Sequence, residues 1–182
     1  MAKNIIILNG SPRATGNTSA LTAEFRRGAE EAGNKVTEFH LSAMKINGCL
    51  GCWGGGKNPD HPCVQRDDMD KIYPLYQEAD VVVLASPLYY WSISGFLKNA
   101  FDRLFAIAEG NPNFRNPKKE TALIMAAEGN GFTETEYWYD NICRHIGWKS
   151  LGKVLCGFVT QPGDTEGKKE LEDAYQLGLS IK

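Results

Sequence analysis

Three short runs in this chain are apolar at consecutive positions rather than alternate ones: Ile5-Ile6-Ile7-Leu8, Val81-Val82-Val83-Leu84 and Ala122-Leu123-Ile124-Met125. A strand apolar on both faces needs cover on both, which helices supply through parallel crossovers. Helix-spaced segments lie between and around these runs. Thr18–Ala32 places Leu21, Phe25 and Ala29 on one face, and Asp67–Glu78 turns Ile72 and Leu75 inward. Ser94–Ala108 carries Phe96, Leu97, Ala100, Phe101, Leu104 and Phe105; Thr133–Ile146 is amphipathic, and Asp164–Ile181 closes the chain as a helix. Lys35–His40 and Ser150–Phe158 supply two more strands. The pattern predicts an α/β fold, a doubly wound five-stranded parallel sheet in the order 2-1-3-4-5. With no internal repeat, linker or low-complexity tract, residues 1–182 read as a single domain.

A formal net charge of -2 gives no strong field for nucleic acid or an anionic membrane. The apolar N-terminal run is too short for a signal peptide's core or a membrane span, so a cytoplasmic location is expected. Five cysteines, an odd number without a secretion signal, argue for reduced thiols over a disulfide framework. His40, His61 and His145 are scattered, with no nucleophile elbow and no His-Glu-x-x-His motif, so hydrolase readings fall away.

The loop after the first strand reads Asn9-Gly10-Ser11-Pro12-Arg13-Ala14-Thr15-Gly16-Asn17-Thr18-Ser19. In an open α/β sheet this loop lies at the carboxyl edge, where ligands bind, and it runs into a helix N-terminus that favours anions. It is not a Walker A loop: five residues separate Gly10 from Gly16, and Asn17 stands in the lysine position. It is not a Gly-x-Gly-x-x-Gly dinucleotide loop either. What remains suits a terminal phosphate monoester held by Ser11, Asn17, Thr18 and Ser19, with Arg13 adding a charge. A plain turn with Asn17 or Thr18 capping the helix is the alternative.

After the third strand comes Ser86-Pro87-Leu88-Tyr89-Tyr90-Trp91-Ser92-Ile93-Ser94-Gly95. Three consecutive aromatics at a strand's exposed end suit stacking on a flat ligand ring. Packing beneath the next helix, or in a subunit interface, is expected for one of them.

Taken together, Gly10-Ser11-Pro12-Arg13-x-x-Gly16-Asn17-Thr18, Ser86-Pro87-x-Tyr89 and Lys98-x-x-x-Asp102-Arg103 resemble the NADPH-dependent FMN reductase family of flavodoxin-like proteins. The resemblance implies a flavodoxin-like fold and bound FMN. It implies that Ser11, Arg13, Gly16, Asn17, Thr18 and Ser19 hold the phosphate. Pro87, Leu88, Tyr89, Tyr90, Trp91 and Ser92 then frame the isoalloxazine, approached also by Ala127, Glu128 and Gly129. Lys98 and Asp102, four apart on a helix, read as a structural ion pair.

Ser42–Arg66, rich in glycine, fits no regular element. Its Cys49-x2-Cys52-x2-Gly55-x7-Cys63, followed by Asp67-Asp68-Met69, resembles iron–sulfur flavoproteins, a branch of the same family. Those proteins have a fourth cysteine where this chain has Gly55, and a cubane cluster takes four thiolates. The resemblance therefore implies a relative without the cluster and no bound metal. A zinc set of three cysteines with His61, a Cys49–Cys52 redox pair and ordinary buried thiols are the other readings. Asp67 or Asp68 is expected to cap the following helix.

The implied function is an oxidoreductase that passes electrons from NADPH or NADH through FMN to a small-molecule acceptor such as a quinone, flavin or nitroaromatic. No side chain is expected as acid or base, because the flavin carries the chemistry. A flavodoxin-type electron carrier, an iron–sulfur flavoprotein and a flavin-binding sensor or scaffold are the competing functions. Relatives oligomerise, and Trp53, Tyr90 and Trp91 form a large apolar surface, so a homodimer or homotetramer is expected.

Overall fold

The computed structural model describes residues 1–182. Five strands form one parallel sheet: β1 (Asn4–Asn9), β2 (Lys35–His40), β3 (Val81–Pro87), β4 (Glu120–Ala126) and β5 (Lys149–Cys156). Their order is β2-β1-β3-β4-β5, as the alternation of runs predicts. The consecutive apolar residues divide between the two faces. Ile5, Ile7, Val81, Val83, Ala122 and Ile124 enter one core; Ile6, Leu8, Val82, Leu84, Leu123 and Met125 enter the other.

Six helices cover the sheet. The first core is closed by α1 (Asn17–Glu31) and α6 (Lys169–Leu179), through Leu21, Phe25, Ala29 and Ala174. The second is closed by α2 (Met69–Glu78), α3 (Gly95–Arg103), α4 (Phe105–Glu109) and α5 (Thr133–Ile146), through Ile72, Tyr73, Tyr76, Leu97, Ala100, Ala106 and Tyr139. The α1–α6 crossing depends on two glycines. A Cβ on Gly28 would lie 2.1 Å from the Tyr175 carbonyl oxygen, and one on Gly178 would lie 2.1 Å from that of Phe25. Any side chain there would hold the two helices apart.

Four expected boundaries move, the first being the fifth strand, which ends at Cys156 and not Phe158. The segment 94–108 is two helices, because at Leu104 the bonding tightens: Leu104 N–H donates to the Phe101 carbonyl and Ile107 N–H to that of Leu104. The last helix starts at Lys169, not Asp164, because the Asp164 carboxylate accepts from the Thr160 and Gln161 amides and folds that stretch into a turn. The second helix starts at Met69, with Asp68 at the capping position. Its side chain makes no cap bond; it accepts instead from Lys45 N–H at 2.7 Å and pairs with Lys71. Asp67 accepts from Met69 N–H at 3.1 Å, but its main partner is elsewhere.

That partner is Arg103, the largest fully buried side chain. Its guanidinium donates to both Asp67 oxygens, at 2.8 and 3.1 Å, and to the Asn47 carbonyl at 3.0 Å. The pair anchors both ends of the glycine-rich loop to α3. Burial pushes the Asp67 carboxyl up, but the Arg103 guanidinium and the Asn47 and Met69 amides outweigh it and hold the group below its ordinary value. Next to it on α3, Lys98 and Asp102 form the expected surface pair at 2.6 Å. No helix is long and apolar enough to cross a membrane.

Candidate functional site

A parallel sheet brings all its strand-to-helix loops to one edge. Four of them meet here around a cavity of about 270 Å³. The loop after β1 contributes Ser11, Pro12, Arg13, Gly16, Asn17 and Thr18, and the loop after β3 contributes Pro87, Leu88 and Tyr89. Ala126, Ala127 and Glu128 come from the end of β4, Val159 and Thr160 from beyond β5. A second cavity, about 310 Å³, shares Leu88, Ala127 and Glu128 with the first and adds Tyr90, Trp91, Gly129 and Gly131. The two form one groove with a hydroxyl- and amide-lined end and an aromatic end.

At the first end, Gly16 precedes α1 and no side chain caps the helix. The opening amides are therefore left for a ligand or water. Asn17 is buried, and its Oδ1 has no partner. The oxygen and nitrogen of that amide exchange places by a flip, so the side chain presents a donor to an anion equally well. Ser11 and Ser19 behave differently from Asn17 and Thr18: both hydroxyls donate to the Arg13 carbonyl, at 3.1 and 2.9 Å, and so shape the loop. The Arg13 guanidinium donates to the Thr160 carbonyl at 2.9 Å, which ties the loops after β1 and β5 together.

Below this loop lies a network that the sequence reading missed. Asn9 is fully buried; its Oδ1 accepts from Ser11 N–H at 2.9 Å, and its Nδ2 donates to Glu38 at 2.8 Å and Ser19 at 3.3 Å. Thr22 also donates to Glu38, at 3.1 Å. A polar residue at the end of an otherwise apolar strand was the available signal. Val159 and Thr160 were missed too, although loop convergence at the carboxyl edge predicts that the turn after the fifth strand joins the site.

The aromatic end is built on strain. Tyr89 and Ser92 exchange backbone hydrogen bonds across a two-residue turn, at 2.9 and 3.1 Å, so Ser92 closes the turn. Tyr90 and Trp91 occupy its corner with φ of +47° and +56°, a conformation costly for bulky residues. Within the chain none of the three aromatics packs beneath the next helix: Tyr89 is 48% exposed, Tyr90 94% and Trp91 60%. Ser86 and Ser94 brace the base, with Ser94 N–H donating to Ser86 Oγ at 2.8 Å and Ser94 Oγ donating to the Gly10 carbonyl at 2.7 Å.

Residues 3–160 match the NADPH-dependent FMN reductase family. The chain belongs to that family. An iron–sulfur flavoprotein of Archaeoglobus fulgidus is 33% identical over 172 residues, covering 94% of this chain and 76% of the relative. Another, from Methanocaldococcus jannaschii, is 32% identical over 180 residues, covering 96% and 88%. An NAD(P)H:quinone oxidoreductase from Methanothermobacter marburgensis superposes with a TM-score of 0.72 over 98% of this chain and 96% of that one, at 17% identity, a likeness of fold. Membership makes this protein a flavodoxin-like oxidoreductase that binds FMN. The groove fits FMN: an uncapped helix start and an unpartnered buried Asn17 suit a phosphate, and the aromatic end suits a flat ring.

The relatives' names raise a second group, an iron–sulfur cluster. Cys49, Cys52 and Cys63 line a separate cavity of about 160 Å³ with Trp53, Arg103 and Glu109. They are three thiols where a cubane takes four. Cys143 and Cys156 are buried in α5 and β5. His61 turns toward Asp70, its Nδ1 3.4 Å from the carboxylate, and does not line the thiol cavity.

Proposed function

We propose that this protein is an FMN-dependent NAD(P)H oxidoreductase, delivering electrons to a small-molecule acceptor such as a quinone, free flavin or nitroaromatic. The observation that carries this reading is the pair of adjoining cavities that share Leu88, Ala127 and Glu128, one lined by the amides and hydroxyls of the loop after β1 and the other by Tyr90 and Trp91. Bound FMN supplies hydride acceptance and electron release. The chain supplies binding, orientation and access. Asn17, Thr18 and the first amides of α1 take the phosphate, while Ser11, Ser19 and Gly16 set the loop's shape and Arg13 adds charge. Pro87, Leu88 and Tyr89 on one side, and Ala127, Glu128 and Gly129 on the other, frame the ring. Tyr90 and Trp91, held outward by the turn that Ser92 closes, wall the open end where nicotinamide and acceptor alternate. Residues 1–182 act as one FMN-binding unit in the cytoplasm.

Anaerobic mixing of the flavin-loaded protein with NADPH, and separately with NADH, tests the reading. Rapid bleaching of the flavin band by at least one nucleotide is expected, with recovery on adding a quinone. A flavin indifferent to both nucleotides would favour a one-partner electron carrier and sink the proposal.

We also propose a homodimer or homotetramer, with the cysteine loop and the Tyr89–Trp91 turn near the interface. Leu50, Trp53, Tyr90, Trp91 and Phe114 all expose more than half their surface, a large apolar area for a lone chain. Light scattering at high micromolar concentration should give at least twice the chain mass; a monomer mass would refute assembly.

A further inference from the structure

We infer that the cysteine loop is closed by the Glu109 carboxylate and the Asp67–Arg103 pair instead of by an iron–sulfur cluster. The relatives' names imply a cluster, and the donor set here does not suit one. Four thiolates are needed, and the loop has three. Bringing in Cys143 or Cys156, 7% and 0% exposed, would mean unwinding α5 or pulling β5 out of the sheet.

The surroundings of Gly55 strengthen the argument. Gly55 N–H donates to Glu109 Oε2 at 3.1 Å. A Cβ on Gly55 would lie 2.2 Å from that same oxygen and 2.9 Å from the Ala106 Cα. The α4 backbone and the Glu109 carboxylate therefore fill the space into which a side chain at position 55 would project. That carboxylate is already committed to the loop's own backbone. The rest of the loop is tied by its own polar groups: Gly56 N–H donates to the Pro62 carbonyl at 2.8 Å, and Gln65 Nε2 to the Gly48 carbonyl at 3.0 Å. Arg103 grips the Asn47 carbonyl at 3.0 Å.

Two consequences are measurable. Cys49 and Cys52 are exposed and Cys63 is buried, so the reduced native protein should show two fast-reacting thiols per chain toward a disulfide reagent. Glu109 should hold the Gly55 amide, so Glu109→Ala should speed hydrogen exchange at Gly55 and Gly56 while sparing the sheet amides.

The deciding experiment is anaerobic reconstitution of the full chain with ferrous iron and sulfide, then removal of unbound ions. Iron, labile sulfide, flavin and fast thiols are measured before and after. We expect no stoichiometric sulfide and two fast thiols in both samples. A stoichiometric cluster, whether held by three cysteines alone or completed by Glu109, would overturn the inference. So would loss of the two fast thiols on reconstitution, or exchange at Gly55 unchanged in Glu109→Ala. Flavin content in the same samples reads the FMN assignment separately, so either can fail without the other.

Discussion

Replacing Asn17 and Thr18 together with alanine is expected to weaken FMN binding by about 3–6 kcal/mol, since each hydrogen bond to a charged group contributes roughly 1.5–3. The lower figure already corresponds to a loss of about a hundredfold. Both side chains line the cavity, and Asn17 carries the buried oxygen without a partner. Ser11 and Ser19 remain bonded to the Arg13 carbonyl in the double variant, so the loop's shape should survive. The opening amides of α1 also remain, which is why binding should be weakened and not abolished. Titrating apoprotein with FMN by flavin fluorescence reads the effect, with far-ultraviolet circular dichroism confirming the fold. Lys98→Ala removes only an exposed helix pair and should leave affinity unchanged. Wild-type affinity in a folded double variant would falsify the phosphate assignment.

The second large effect concerns Asp67→Asn. The Asp67 and Arg103 side chains are 4% and 1% exposed, and removing one charge strands the other in the interior. Such losses run to about 3–5 kcal/mol, roughly a fifth or more of a typical domain's stability. The pH dependence follows from the depressed Asp67 value. Its unfolded pKa is about 3.9, so the contribution is complete well above that pH and is lost as pH falls through the lower folded value. Urea unfolding at neutral pH should therefore separate wild type from variant by several kcal/mol, and the gap should narrow in acid. A gap below about 1 kcal/mol at neutral pH, or one that widens on acidification, would contradict the buried-pair account. Because the pair also anchors Asn47, the variant should additionally open the cysteine loop to proteolysis.

Arg103 shows where sequence reading stops. Next to it, Lys98 and Asp102 form the ion pair that their spacing predicts. Arg103's partner could not be read in the same way, because it lies 36 residues earlier and no helical period reports a contact at that separation. The same limit applies to Gly28 and Gly178, whose need for a bare backbone exists only once two distant helices cross. It applies to Glu109 as well, which is unremarkable in a helix until Gly55 docks against it.

What the amino-acid order determined by itself is what depends on neighbours in sequence. Consecutive apolar residues in the central strands demand cover on both faces, and that demand admits little besides a doubly wound sheet. A loop of small and hydroxyl residues entering a helix start is a candidate anion site wherever the rest of the chain goes. The tertiary structure decided which of those residues are free for a ligand and which are spent on one another. Asn17 and Thr18 face the cavity, while Ser11 and Ser19 close on Arg13. It also brought Thr160 to the site and turned Tyr90 and Trp91 outward at positive φ. Hydrogen-bonding capacity is a property of the residue type, but its allocation depends on every group within about 3 Å, and only the folded chain brings those groups together.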